Sequence, residues 1–221
     1  MTETSPREPM FTAPFQALIL PLILLALFGV ALVLNASQQE MLVVAFGLNP
    51  LLVRQGHAEL LFSYAFLHGD VIGAGMNAAL LLAFSVPLMN AFGRGWRGFI
   101  SFLLLFELLA VAAALAFCLL YVRDNVTVIG ASAAVSGVMG AAVRLPWQPP
   151  AQRKEGEVLK ILHPQVLVLT ALVVVYNVAL MFIGDFKGQM AWESHLMAYG
   201  IGLVLIEPWL RLFHRQYFTA N

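Results

Sequence analysis

Long, uninterrupted apolar runs recur along this chain and constrain its fold more than any other feature. A helix needs about 20 apolar residues to cross the hydrocarbon core of a bilayer. Six runs approach that length, at 14–34, 73–92, 99–121, 130–145, 164–183 and 194–213. Strands of a membrane barrel would instead alternate apolar and polar residues. The sequence therefore predicts an all-α membrane protein, a bundle of six transmembrane helices.

Composition supports a membrane protein and excludes some partners. The chain is 61% hydrophobic and 11% charged, whereas soluble domains are about 45–50% apolar and about 25% charged. Its formal net charge is zero, so no basic surface for nucleic acid is indicated. We expect one membrane domain at 14–213, embedded in the lipid bilayer, between short tails at 1–13 and 214–221.

The distribution of basic residues predicts the orientation in the membrane. Cytoplasmic segments of membrane proteins carry an excess of Lys and Arg. If the N-terminus is cytoplasmic, most of the basic residues lie inside: Arg7, Arg94, Arg97, Arg144, Arg153, Lys154, Lys160, Arg211 and Arg215. Both termini are then predicted to be cytoplasmic. The mixed segment 35–70 is predicted to form short amphipathic helices at the outer interface.

Three polar residues fall at similar depth in different apolar runs. Asn77, Ser132 and His195 each lie near the outer start of a predicted helix, and polar groups inside a membrane are costly and usually functional. Histidine suits the role of a base that activates a serine. The first turn of the fourth helix, entered through Gly130 and Ala131, offers free N–H groups to an oxyanion. Asn77 would donate one more hydrogen bond.

Each of these residues also has a structural interpretation. The small residues at 129–137 could be only a packing face between helices. His195 could be a satisfied interfacial histidine, and Asn77 could be a hydrogen-bonding link between helices. Their coincidence on one side favours a site. No carboxylate is placed to orient the histidine, since Glu193 points away, so a Ser–His dyad is predicted.

The order and spacing of these residues resemble the rhomboid family of intramembrane serine proteases, over about 62–205. The landmarks are Phe-Leu-His68, Asn77, Gly-Ala-Ser132, Gly137, Gly140, Ser-His195 and Gly202. The resemblance implies Ser132 as nucleophile and His195 as base, with no cofactor. It also implies single-span membrane proteins as substrates and a bacterial inner membrane as the location.

The chain departs from the family pattern in its second predicted helix. The family usually has a histidine, which helps to hold the oxyanion, where this chain has Gly73. Losing one such donor costs about 10²–10³ in rate. The chain is therefore either a slow protease or a non-catalytic relative that binds membrane helices. Ser136 is a rival nucleophile, although the family register favours Ser132.

Glu107 motivates a third hypothesis, a small transporter or channel, because it lies in the middle of an apolar run. The lack of an inverted repeat argues against transport. We favour a structural role for Glu107, with Ser85 or Asn90 as its expected partner. The remaining histidines have no metal-ligand spacing, so no metal is expected: His57, His68, His163 and His214.

Overall fold

A computed structural model describes residues 14–93, 95–147, 156–182 and 192–219, with the side chains of 180–182 excepted. Over these residues the chain is helical and its only strand-like pairing is an isolated bridge between Leu48 and Val128. The helices are α1 (Ile19–Leu32), α2 (Ala36–Phe46), α3 (Pro50–Arg54), α4 (Leu60–Ser63), α5 (Val71–Phe92), α6 (Trp96–Leu120), α7 (Ser132–Ala142), α8 (Pro164–Phe182) and α9 (Trp192–Phe213). The predicted all-α membrane fold is confirmed.

Four helical segments in the described parts of the chain are long and apolar enough to cross a membrane. They are Phe15–Leu32, Val71–Phe92, Trp96–Leu120 and Trp192–Phe213. Two further apolar stretches are shorter: the helix α7, Ser132–Ala142, and the part of α8 whose side chains are described, Pro164–Ala179. The prediction of six full spans is therefore confirmed only for these four, and the count of six stays a prediction.

The eleven-residue helix α7 is short because it lies inside the bundle. Every residue from Ala133 to Ala142 is buried, and α5, α6 and α9 pack around it. A helix enclosed by protein does not need to match the thickness of the bilayer. The predicted run 130–145 begins two residues before this helix and ends three residues after it.

Glycine allows α7 and α9 to meet backbone to backbone. A Cβ added to Gly140 would overlap the carbonyl oxygen of Tyr199, and one added to Gly202 would overlap the carbonyl oxygen of Gly137. Small residues permit such close approach between membrane helices. This contact fixes the position of the start of α9 relative to the start of α7.

The predicted short helices at 35–70 are present as α2, α3 and α4, and the residues between α2 and α3 bond to the loop that leads into α7. Leu48 and Val128 exchange two backbone hydrogen bonds of 2.9 and 3.0 Å. The Asn49 amide donates to Asn125 Oδ1 at 2.9 Å and to Thr127 Oγ1 at 3.1 Å. The segment 125–130 is thereby anchored on both sides before the chain turns into α7.

A buried arginine links the helices at the opposite end of α7. Arg144 donates to the carbonyl oxygens of Leu159 at 2.8 Å and Leu203 at 2.9 Å, and it pairs with Glu207 at 2.8 Å. Glu207 also pairs with Arg211. The guanidinium therefore joins the end of α7 to the segment before α8 and to α9.

The residues after α9, predicted as a tail, pack against the bundle as far as they are described. The Ser101 hydroxyl on α6 lies 2.6 Å from His214 Nε2 and accepts from the Trp209 indole at 3.0 Å. The His214 ring stacks on Phe92. The predicted N-terminal tail at 1–13 lies outside the described residues.

Within the described part of the chain, Glu107 is hydrogen-bonded to neither expected partner, Ser85 or Asn90. The Ser85 hydroxyl is directed at the carbonyl oxygens of Leu82, at 3.0 Å, and Ala17, at 3.4 Å. Glu107 Oε2 is buried and has no hydrogen-bond partner among the described residues. The Tyr64 hydroxyl, a nearby buried polar group, donates to the Ala110 carbonyl at 2.9 Å and not to Glu107.

Candidate active site

Ser132 and His195 come together at the starts of two adjoining helices. The distance from Ser132 Oγ to His195 Nε2 is 2.9 Å. Gly130 precedes α7 with φ of +123°, a left-handed conformation that favours glycine. Ala131, the N-cap of α7, is fully buried. The turn therefore places Ser132 as the first residue of α7, with its hydroxyl against His195.

The first turn of α7 also presents backbone donors. Its first intrahelical hydrogen bond runs from the Val135 N–H to the Ala131 carbonyl, at 2.8 Å. The N–H groups of Ser132, Ala133 and Ala134 come before this bond, and such groups have no partner within their own helix. Together with the helix dipole they favour negative charge beside Ser132.

Ser136, the rival nucleophile, is oriented differently. Its hydroxyl donates to the Ser132 carbonyl, one turn back on α7, at 2.9 Å. It does not line the cavity around Ser132 and His195. Of the two serines, Ser132 is therefore the one that is hydrogen-bonded to His195.

Asn177 on α8 is a third polar residue at the site, and it was missed from the sequence. Its Oδ1 lies 3.0 Å from His195 Nδ1, and its amide nitrogen donates to the Val173 carbonyl at 2.9 Å. The side chain is buried. Asn177 could have been found from the sequence, because it is a polar residue inside an apolar run, which is the argument that selected Asn77.

The predicted oxyanion residues on α5 have other partners. The Asn77 amide donates to His68 Nε2 at 3.0 Å. Burial lowers the pKa of His68, and the nearby charge of Asp70 offsets part of this effect. Gly73 offers no side chain, and its N–H donates to the capping Asp70 carboxylate at 2.7 Å. An oxyanion role for Asn77 would use its second N–H and stays a prediction.

An open cavity of about 430 Å³, including its mouth, adjoins the Ser132–His195 pair. Its other lining residues are mostly apolar or small: Leu48, Tyr64, Ala113, Phe117, Val128, Ile129, Gly130, Ala133 and Ser194. The Glu193 carboxylate accepts from the Tyr121 hydroxyl at 3.1 Å. Nowhere in the described ranges do three or more His, Cys, Asp or Glu residues form a group that could hold a metal ion.

A comparison with known protein families identifies the family of this chain. Residues 55–211 match the family model for the rhomboid domain. The chain belongs to the rhomboid family. The matched range runs from the end of α3 into the last turns of α9 and contains both Ser132 and His195. No curated protein matches the chain. This rhomboid is a multi-pass membrane protein, and its family generally consists of serine proteases.

Proposed function

We propose that this rhomboid is an intramembrane serine endopeptidase that cuts the membrane segments of single-span proteins. The observation that carries the proposal is the 2.9 Å contact between Ser132 Oγ and His195 Nε2 beside an open, mostly apolar cavity. We further propose that it resides in the cell membrane with both termini cytoplasmic, because its basic residues are concentrated on that side.

The proposed reaction uses the two side chains in turn. His195 Nε2 takes the proton of Ser132 as Oγ attacks the scissile carbonyl carbon, forming a tetrahedral oxyanion. The N–H groups of the first turn of α7 stabilise that charge. The imidazolium then gives its proton to the leaving amine. Water hydrolyses the remaining ester, with His195 again as base.

The substrate must present an unwound peptide bond to this site. In a regular helix each interior carbonyl accepts a hydrogen bond and is shielded by the surrounding side chains. A membrane helix that contains small or helix-breaking residues loses fewer stabilising contacts when it unwinds. We therefore expect cleavage near such residues, where the segment enters the cavity.

Cleavage in proteoliposomes tests the proposal. The protein would be reconstituted with a panel of single-span reporter proteins that carry Gly or Pro near one end of the membrane segment. The parent and Ser136→Ala should release fragments, whereas Ser132→Ala should release none. Ser136→Ala is the matched control because it removes a hydroxyl from the same helix, one turn away. Fragments from Ser132→Ala would refute the proposal.

A second candidate function is helix binding without cleavage, and Gly73 is the observation that favours it. No side chain is present there to hold an oxyanion, and one Asn77 N–H is already bonded to His68. A pseudoenzyme should acquire cleavage only in Gly73→His. A Cβ at this position would lie 3.1 Å from Asp70 Oδ2, so the capping carboxylate must shift slightly.

Gly75→His controls for the added imidazole, because a Cβ at Gly75 meets nothing within 4 Å. Cleavage by Gly73→His but by neither the parent nor Gly75→His would assign the natural chain to the binding class. Cleavage by the parent would exclude that class.

A further inference from the structure

We propose that Asn177 is a positioning residue that holds His195 in the orientation and tautomer needed for a base. This inference rests on the proposed function and extends its Ser–His dyad to a Ser–His–Asn array. It begins from two hydrogen bonds at opposite edges of one imidazole ring. Nε2 faces Ser132 Oγ at 2.9 Å, and Nδ1 faces Asn177 Oδ1 at 3.0 Å.

The Asn177 amide is itself held in one orientation. Its nitrogen donates to the Val173 carbonyl, one turn earlier in α8, at 2.9 Å. The nitrogen can only donate and the oxygen can only accept, so the oxygen must face His195. His195 therefore carries its proton on Nδ1. That leaves the lone pair of Nε2 directed at the Ser132 hydroxyl, as a base requires.

Burial makes this arrangement effective. Asn177 is 2% exposed and His195 is 6% exposed, so water does not compete for the Nδ1 proton, and hydrogen bonds are electrostatically stronger in such surroundings. Glu193, two residues before His195 in sequence, accepts from Tyr121 instead. Among the described residues, Asn177 is thus the side chain that accepts from Nδ1.

The packing of α8 explains why Asn177 reaches α9. Val166, Thr170, Val173 and Asn177 follow the 4-3-4 spacing of one helix face. Both valines on this face are buried. Thr170 Oγ1 lies 2.8 Å from the Tyr199 hydroxyl. Among the described side chains of these two helices, two polar contacts join α8 to α9, and one of the two includes the base.

Asn177→Leu tests the positioning role, and a variant at the Thr170 contact is its matched control. Asn177→Leu keeps a similar side-chain volume but leaves Nδ1–H buried without an acceptor. When the imidazole carries its proton on Nε2, that nitrogen has no lone pair to accept the hydrogen bond from the Ser132 hydroxyl. We expect kcat/KM to fall about 10–100-fold, as for the loss of a buried hydrogen bond. Thr170→Val, which removes the other contact between the two helices, should stay within about twofold of the parent.

The aspartate variant separates positioning from general support of the fold. In Asn177→Asp a carboxylate can accept from Nδ1, so we expect activity above that of Asn177→Leu. The negative charge stabilises the imidazolium. The acidic limb of the pH profile of kcat/KM should therefore move to higher pH. Equal losses in Asn177→Leu and Thr170→Val, with no displacement of the limb in Asn177→Asp, would overturn the proposal.

A spectroscopic measurement tests the inference independently of cleavage. Nitrogen NMR of ¹⁵N-histidine-labelled protein in lipid, with His195→Gln for assignment, reports which ring nitrogen carries the proton. We expect Nδ1–H in the parent and in Thr170→Val, and a loss of that preference in Asn177→Leu. An Nε2–H tautomer in the parent refutes the inference. The Nδ1–H tautomer in a chain that cleaves no reporter would instead refute the proposed function alone.

Discussion

Gly202→Ala should disable the site by separating two helices, although residue 202 lies two turns from His195 along α9. The added Cβ would overlap the Gly137 carbonyl oxygen and would lie 2.9 Å from both the Gly137 carbonyl carbon and the Ala141 nitrogen. All three atoms belong to the α7 backbone, which cannot rotate away as a side chain can. The helices themselves must therefore move apart.

The size of the movement follows from these contacts. Carbon atoms pack at about 3.5–4.0 Å, so relieving the 2.9 Å contacts alone needs about half an ångström, and relieving the overlap with the oxygen needs about 1 Å. A displacement of 1 Å in reacting groups costs about 10²-fold in rate. We therefore expect kcat/KM to fall about 100-fold. Overpacking should also lower the free energy of unfolding by about 1–3 kcal/mol.

Gly200→Ala is the control, because a Cβ at that position meets nothing within 4 Å. Both variants would be compared by reporter cleavage and by thermal unfolding in the same detergent. Gly200→Ala should match the parent in both measurements. Full activity in Gly202→Ala would refute the argument that backbone contact between α7 and α9 sets the distance between Ser132 and His195.

Two further predictions concern stability. Burial lowers the pKa of His68, so the unfolded chain binds a proton more readily, and the free energy of unfolding should fall as the pH drops below about 6.5. Thermal unfolding from pH 8 to pH 5 should show a shallower decline in His68→Gln, and an identical decline would contradict the assignment. Arg144→Met should lower the free energy of unfolding by about 3 kcal/mol, because the buried guanidinium bonds two carbonyl oxygens and a carboxylate. Denaturant titration should give a change below about 1 kcal/mol for the exposed Arg211→Met, and equal effects of the two variants would contradict the account.

The positions of the long helices were predictable because the apolar runs of a membrane protein carry a strong local signal. The predicted run 73–92 became Val71–Phe92, and 194–213 became Trp192–Phe213. The approach of Ser132 and His195 was predictable too. It followed from their positions at the starts of two helices on the same predicted side of the membrane.

The missed features depend on contacts between distant segments. The length of α7 is set by its enclosure in the bundle, which a local hydropathy pattern does not record. Asn177 lies 18 residues before His195, and its role depends on which face of α8 meets α9. The expectation that Glu107 bonds to Ser85 or Asn90 was wrong. Ser85 directs its hydroxyl to nearby carbonyl groups, and Glu107 Oε2 has no hydrogen-bond partner among the described residues.

Labelling with a fluorophosphonate probe shows whether Ser132 is activated by His195, because such a probe reacts with a serine only when a base activates it. We expect the purified protein to be labelled and mass spectrometry to place the adduct on Ser132. His195→Ala should abolish the adduct, and Ser136→Ala should preserve it. An adduct on Ser136, or equal labelling after His195→Ala, would contradict the claim that Ser132 and His195 form the active pair.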